Sequence, residues 1–365
     1  MSIAHDQLNK TPWLFILSAF VALAFLAGKY AGVDYPHSVV IIAIEAILLG
    51  LAVFGAVHHA EVVALKVGEP FGSIILALAV TVIETALILT QMASGKPGAE
   101  FIGRDAVFAT IMIVLNGIVG LGILIGGARH HEQKFSLDAS TAGLSVLGTL
   151  AGLSLILPNF TTGTPGPQFS PAQLAFDGII SLILYGIFVF VQTIRHRDYF
   201  AVGSDEANAH PVPENRTLLL SSIFLPLSLL IVVLMAKTLS GPIDDGLAAL
   251  GLPSAFLGVV IAAIVLLPES FAALRAAHHN QLQTCLNLAL GSAIATIGLT
   301  IPTLAAYSLW SGDRLALGIS PQSIALLVLT LFISSVTLAT GRTTILQGAV
   351  HLVIFGVFIF LSAIP

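Results

Sequence analysis

Two stretches decide the fold: residues 72–91, GSIILALAVTVIETALILTQ, and residues 254–274, SAFLGVVIAAIVLLPESFAAL. Each is long and apolar enough to cross a bilayer, since about 20 residues of helix span its hydrocarbon core. Each also carries a single acid, Glu84 in the first and Glu269 in the second. An ionised carboxylate at the bilayer centre costs roughly 2.5–3.5 kcal/mol even on lenient insertion scales. Two such acids therefore predict a cation or proton site inside the membrane.

The composition places the whole chain in a membrane. Its 365 residues are 56% hydrophobic and 9% charged, with a mean hydropathy of +0.99, values foreign to soluble globular proteins. Apolar windows of spanning length recur eleven times with short loops between them. We therefore predict an all-α, multi-pass protein of about eleven transmembrane helices. The first window is as long as a full span and lacks a small-residue cleavage site, so we expect no signal peptide.

Charge and cysteine content narrow the partners. Cys285 is the only cysteine, which excludes an internal disulfide and a cysteine-rich metal site. The net charge of -5 is scattered, so we predict no nucleic-acid partner, only the lipid bilayer and inorganic cations, and no cofactor. Lys and Arg number nine on the side of the N-terminus and five on the other. This bias favours a cytoplasmic N-terminus.

The two acidic stretches belong to an internal repeat. We predict an extra helix at residues 1–35, a first five-helix repeat at 36–194, a cytoplasmic linker at 195–216 and a second five-helix repeat at 217–365. Each acid lies in the second helix of its repeat. Because five is odd, the second copy must begin on the opposite side of the membrane, the inverted plan of many secondary transporters with a midplane site.

Polar residues in the next helix extend the match between the copies. Asn116 follows Glu84 in LNGIVGLGI, and Ser292 and Thr296 follow Glu269 in GSAIATIGL. Ser292 and Thr296 are four residues apart and so share one helical face. Oxygen ligands of this kind suit hard cations such as calcium or sodium. Pro268 removes a backbone donor just before Glu269, which predicts irregular backbone beside the site.

Three stretches carry a family resemblance: KVGEPFGSIILALAVTVIETALI, PESFAALRAAHHNQLQTCLNLALGSAIATIGL and ATGRTTILQGAVHL. With them the chain resembles the calcium/proton exchangers, the CAX branch of the calcium:cation antiporter superfamily, and within it the bacterial ChaA-type proteins. The resemblance implies export of a cytoplasmic divalent cation in exchange for protons across the cell inner membrane. It also implies that the family's two glutamates are Glu84 and Glu269, and that Asn116, Ser292 and Thr296 line the site.

The chain departs from the family pattern at both acids. The wider family carries Gly-Asn-Ala-x-Glu at each site. This chain instead has VTVIE, which ends in Glu84, and VLLPE, which ends in Glu269. Side-chain ligands and backbone flexibility are lost, although both acids remain. Glu61 corresponds to an acid of the family's gating helix, but its counterpart in the second half is Lys237, which would place a fixed positive charge near the outer mouth.

The expected mechanism follows from repulsion between two carboxylates in one cavity. Two like charges about 5 Å apart repel by roughly 3 kcal/mol at an effective dielectric near 20. Binding of a divalent cation or of protons relieves this repulsion, and a site that holds the cation cannot hold the protons at the same time. Alternating access by movement of the second and seventh helices is the hypothesis that the resemblance adds.

Several other polar residues have two interpretations. Glu45, alone in VVIIAIEAILLG, is either a proton-pathway acid or a helix-to-helix hydrogen-bond partner. Thr81 shares a face with Glu84 and either ligates the ion or bonds back to its own helix, the commoner fate of a membrane threonine. Glu69 either attracts cations to the entrance or caps the following helix.

Histidine is concentrated on the predicted cytoplasmic side, where nine of the eleven fall. Three adjacent pairs, among them His58–His59 and His278–His279, are predicted to end the second, fourth and eighth spans. Histidine changes charge between pH 5 and 8, so the pairs either sense cytoplasmic pH or are amphipathic residues at the membrane surface.

The sequence thus predicts a transporter, not an enzyme: an antiporter that exchanges Ca2+ for H+, with Na+ or K+ in place of Ca2+ as the nearest alternative. A passive channel would lack strict coupling to protons. A membrane hydrolase is disfavoured because no His-Glu-x-x-His, Gly-x-Ser-x-Gly or phosphate-binding loop occurs in the chain.

Overall fold

Eleven helices of membrane-spanning length fill the part of the chain that the structure describes. The computed structural model describes residues 13–32, 39–68, 71–93, 98–200, 213–253 and 255–365. The helices are α1 Trp13–Tyr30, α2 Val39–Val67, α3 Phe71–Met92, α4 Ala99–His130, α5 Leu137–Phe160, α6 Pro171–Arg195, α7 Asn215–Ala249, α8 Phe256–His278, α9 Leu282–Ser311, α10 Pro321–Leu338 and α11 Ile345–Ala363. The predicted all-α fold with eleven spans is confirmed.

Local sequence sets several of the helix starts. Ser170 caps α6 and Thr344 caps α11, in each case with a glutamine three residues later that closes a capping box, Gln173 or Gln347. Ser320 caps α10, whose first residue is a proline. These caps satisfy backbone N–H groups that have no partner within the helix.

Four helices contain a π-helical segment. These segments are Ile113–Ile118 in α4, Gly152–Ile156 in α5, Val191–Arg195 in α6 and Thr296–Thr300 in α9. The third helix of each predicted repeat, α4 and α9, is thus interrupted at a matching place. By contrast, α8 is a continuous α-helix through Pro268. The prediction of irregular backbone at Pro268 is therefore wrong. The irregular segment lies in the neighbouring helix α9 instead.

The described residues form two compact units. Unit 1 comprises residues 1–91 and 203–246, and unit 2 comprises 92–202 and 247–365. Each unit combines helices from both predicted repeats, so compactness does not follow the repeat boundaries. Those boundaries, and the assignment of 195–216 as a linker, stay predictions.

Unit 1 holds α1, α2, α3 and most of α7. Aromatic contacts join its helices: the Phe20 and Phe224 rings lie edge to face with centroids 5.9 Å apart. The turn into α3 is tight, because a Cβ added at Gly72 would lie 2.7 Å from the Ala64 carbonyl oxygen. Only glycine fits such an approach, and the next helix therefore begins directly against the end of α2.

Unit 2 is held together by close helix crossings. A Cβ at Gly120 of α4 would lie 2.9 Å from the His351 Cβ of α11, and one at Gly348 would lie 2.6 Å from the Leu124 nitrogen. Small residues let membrane helices approach in this way and gain dispersion contacts. A two-stranded antiparallel sheet, β1 Gln133–Lys134 and β2 Arg342–Thr343, adds hydrogen bonds between the end of α4 and the start of α11.

Candidate ion-binding site

Glu84 lies deep in α3, with 1% of its surface exposed. Thr81, one turn earlier, donates its hydroxyl to the Ala77 carbonyl at 2.8 Å, which is the back-bonding expected of a membrane threonine. Its oxygen keeps a lone pair on the face that it shares with Glu84. Both residues belong to unit 1.

Glu269 lies in α8 and is half-buried. The Ser292 hydroxyl of α9 donates a hydrogen bond to its Oε2. Ser270, the next residue in α8, donates instead to the Leu266 carbonyl of its own helix at 2.6 Å. A hydroxyl that donates to a carboxylate stabilises its ionised form, and this is the form of Glu269 that could bind a cation. The structure thus brings together two of the residues predicted from sequence, Glu269 and Ser292, both in unit 2.

The residues matched as counterparts, Asn116 and Thr296, both lie in π-helical segments. Asn116 is in the segment of α4 and Thr296 begins that of α9, and their exposed fractions are 0% and 3%. A π turn inserts one residue into the helix and is frequent at functional sites. The sequence offered no signal for these turns, since apolar periodicity does not distinguish them from α-helix.

The Asn116 side chain is engaged by α10 and α11. Its Nδ2 donates to the Thr330 hydroxyl at 2.9 Å, and its Oδ1 lies 3.1 Å from His351 Nδ1. The other ring nitrogen of His351 lies 3.1 Å from the Thr337 hydroxyl. The structure therefore places Asn116 in a buried network with three residues that the sequence analysis did not single out.

The residues predicted for gating or a proton path are dispersed. Glu45 of α2 is paired with Lys29 of α1, with Lys29 Nζ 2.6 Å from Glu45 Oε1, as the helix-to-helix interpretation predicts. Glu61 lies further along α2, and Lys237 is exposed on α7. Glu69 lies outside the described residues.

The histidine pairs occupy unlike environments. The prediction that His58 and His59 end the second span is wrong, because the apolar run continues and α2 extends to Val67. His59 is fully buried with its Nδ1 3.1 Å from the Ser221 hydroxyl of α7. His278 and His279 do end α8 and are exposed, and His279 Nδ1 lies 2.8 Å from the Arg275 carbonyl oxygen.

Asp177 is a buried acid that the sequence analysis missed. It lies in α6 and is 6% exposed. The signal was present, since Asp177 is the single acid of the apolar run LAFDGIISLIL, as Glu84 is of its own.

Comparison with known proteins agrees with this architecture. The family model described as sodium/calcium exchanger protein matches residues 37–194 and 220–364. The protein y4hA of Sinorhizobium fredii is 51% identical over 97% of this chain and 96% of its own length. The sodium-potassium/proton antiporter ChaA of Escherichia coli is 32% identical over 96% of this chain and 95% of its own.

Solved structures agree in fold. The structure of native YfkE superposes with a TM-score of 0.74 at 16% identity, covering 96% of this chain and 100% of that one. Both matched regions of the family model contain one of the two membrane acids. The chain is therefore a cation antiporter, not an enzyme, and belongs to the sodium/calcium exchanger family.

Proposed function

We propose that this protein exports cytoplasmic Ca2+ in exchange for H+ across the cell inner membrane, with its N-terminus in the cytoplasm. Glu84 and Glu269 bind the cation or protons in turn during alternating access. The observation that carries this proposal is the contact between Glu269 and the Ser292 hydroxyl, which supports an ionised carboxylate inside a membrane helix.

We propose joint action of the two acids because the predicted repeats give Glu84 and Glu269 the same place. Thr81, Ser292 and Thr296 are the hydroxyl ligands that we propose beside them. Asn116 serves the site through the π-helical segment of α4, which its bonds to α10 and α11 hold in place. Carboxylate and hydroxyl oxygens are hard ligands, and calcium is bound by such oxygens.

Sodium or potassium exchange is the second candidate. It is favoured by the 32% identity to ChaA, the sodium-potassium/proton antiporter, over nearly the whole length of both chains. The loss of the Gly-Asn-Ala segment before each acid points the same way, because fewer side-chain oxygens surround the ion. The fold and the two acids are common to both candidates.

The test measures proton movement driven by Ca2+, Na+ or K+ in proteoliposomes. We expect Ca2+ to drive proton movement in the native protein, and Glu84→Gln and Glu269→Gln each to abolish it, because glutamine can neither ionise nor carry a proton. Glu132→Gln is the matched control: Glu132 is an exposed acid, paired with Arg342 at 3.7 Å, and we expect exchange to persist.

Other outcomes separate the candidates. Activity with Na+ or K+ alone would overturn the assignment of calcium and leave the acids in place. Exchange that survives both glutamine substitutions would show that the site is elsewhere.

A further inference from the structure

Among the described residues, the helices that pack around buried Asp177 place no cation beside it. It lies in α6, against which α5 and α9 pack. The titratable groups of these three helices are Asp138, Tyr185, Arg195, Cys285 and Tyr307. Arg195, the one cation among them, is the last residue of α6, eighteen positions away, or about 27 Å along a helix. Tyr185, two turns from Asp177, is neutral at physiological pH.

The hydrogen bonds around Asp177 are incomplete. The Ser154 hydroxyl, in the π-helical segment of α5, donates to Oδ1 at 3.2 Å. Oδ2 is buried and has no hydrogen-bond partner in the described part of the chain, and the same is true of the hydroxyl of Ser181. Ser181 follows Asp177 by four residues and so lies on the same face of α6.

The second repeat has a counterpart of Asp177, His351, whose polar atoms all have partners. His351 follows the cap residue Thr344 of α11 by seven positions, as Asp177 follows the cap residue Ser170 of α6. Both helices contact the π-helical segment in the third helix of the other repeat: α11 that of α4, and α6 that of α9. Both ring nitrogens of His351 have partners, whereas Asp177 and Ser181 each retain a free atom.

The cost of burying an unpaired charge decides whether Asp177 is ionised or protonated. An ionised carboxylate buried in the membrane without a cation costs several kcal/mol, and such a group becomes neutral instead. A multi-carboxylate metal centre does not compete for this place, since the described residues contain no cluster of three or more His, Cys, Asp or Glu side chains able to hold a metal. A single proton on Oδ2 removes the charge.

We propose that Asp177, hydrogen-bonded by Ser154, is a proton-binding site of this protein additional to Glu84 and Glu269. A proton taken from water forms an O–H bond at Oδ2, and the carboxyl group becomes neutral. Ser154 continues to donate to Oδ1. Release returns the proton to water.

Infrared difference spectroscopy tests the site without relying on transport. The purified protein in lipid is compared at acid and alkaline pH, and the signal is the carbonyl stretching band of a protonated carboxyl group. We expect a band that is lost in Asp177→Asn, which keeps the shape but cannot bind a proton. In Ser154→Ala the band persists but shifts to higher frequency, because the carbonyl loses a hydrogen bond. Asp138→Asn, at an exposed acid in the first turn of α5, is the control and keeps the native band.

Three results would overturn the proposal. A native spectrum that Asp177→Asn leaves unchanged would show that Asp177 does not titrate. Absence of any acid-minus-alkaline carboxyl band would show the same. Carboxylate bands that depend on Asp177 and appear on addition of Na+ would show that Asp177 binds a metal cation and not a proton. Failure of the exchange assay above would leave each of these results interpretable, because protonation is read directly.

Discussion

At the scale of single residues, we propose that the Ser292 hydroxyl sets how Glu269 divides its affinity between cations and protons. The hydroxyl donates to Oε2 and so favours the ionised carboxylate, the form that binds a metal cation. A hydrogen bond to a charged group contributes about 1.5–3 kcal/mol. Cation binding should therefore respond strongly to this one contact.

Ser292→Ala should raise the half-saturating cation concentration about tenfold or more, the equivalent of roughly 1.5 kcal/mol. Without the donor, Glu269 binds protons more tightly, so the defect should be largest at acid pH and shrink at alkaline pH. The measurement is the cation dependence of proton movement in proteoliposomes at several pH values.

Ser270→Ala is the matched control, because that hydroxyl bonds the Leu266 carbonyl of its own helix. Ser292→Thr restores a donor and should recover most of the affinity. Equal behaviour of the two alanine variants would contradict the role given to Ser292.

Glu84, Glu269 and Ser292 could be proposed from the sequence, because the few polar residues that interrupt apolar runs are visible by composition. The network of Asn116 was not predictable in this way. Its partners Thr330 and His351 lie more than 200 residues further along the chain, and a lone threonine or histidine in an apolar helix has no pattern that names its partner.

At the scale of helices, glycine crossings fix the helices that carry the site. A Cβ added at Gly258 of α8 would lie 2.7 Å from the Asp105 carbonyl carbon and 2.8 Å from the Ala106 nitrogen of α4. Backbone atoms cannot turn aside as a side chain can, so α8 or α4 would have to shift. Since α8 carries Glu269, the crossing contributes to the position of the acid.

Gly258→Ala should destabilise the protein by about 1–3 kcal/mol, the usual cost of overpacking. Gly186→Ala is the control: Gly186 is exposed on α6 with nothing within 4 Å of an added Cβ. Alanine there should be neutral or stabilising by up to about 1 kcal/mol, because it is the better helix former. Thermal unfolding in one detergent compares the two, and equal midpoints would argue against the crossing.

Helix existence was predictable and helix detail was not. Eleven apolar windows gave eleven helices because a bilayer forces each one to satisfy its own backbone. The end of α2 was misplaced at His58–His59, since the residues that follow are still apolar. The π turns of α4 and α9 were not predictable, because apolar periodicity does not distinguish them from α-helix.

At the scale of the whole molecule, the distribution of Lys and Arg sets the orientation in the membrane. Lys134 follows α4 and Arg314 follows α9, and both are exposed. An odd number of spans lies between these two positions, so they face opposite sides of the membrane. The orientation follows if the N-terminus is cytoplasmic. Lys134 should then face the cytoplasm and Arg314 the opposite side.

Cysteine labelling checks this orientation. In intact cells, a membrane-impermeant maleimide should label Arg314→Cys but not Lys134→Cys, and permeabilised cells should show both. The native chain is the control, because its one cysteine, Cys285, is fully buried. The reverse pattern would place the N-terminus outside and invert the proposed direction of transport.

The pairing of α4 with α11 has a consequence for biosynthesis. These helices touch through Gly120 and Gly348 and are tied by β1 and β2, yet His130 ends one helix and Ile345 begins the other. At about 5–20 residues per second the ribosome needs roughly 10–40 s to make the intervening chain. During that interval the Asn116 amide waits in the membrane without Thr330 or His351. Nascent chains should therefore rely on insertion factors that shelter polar helices until the last span arrives.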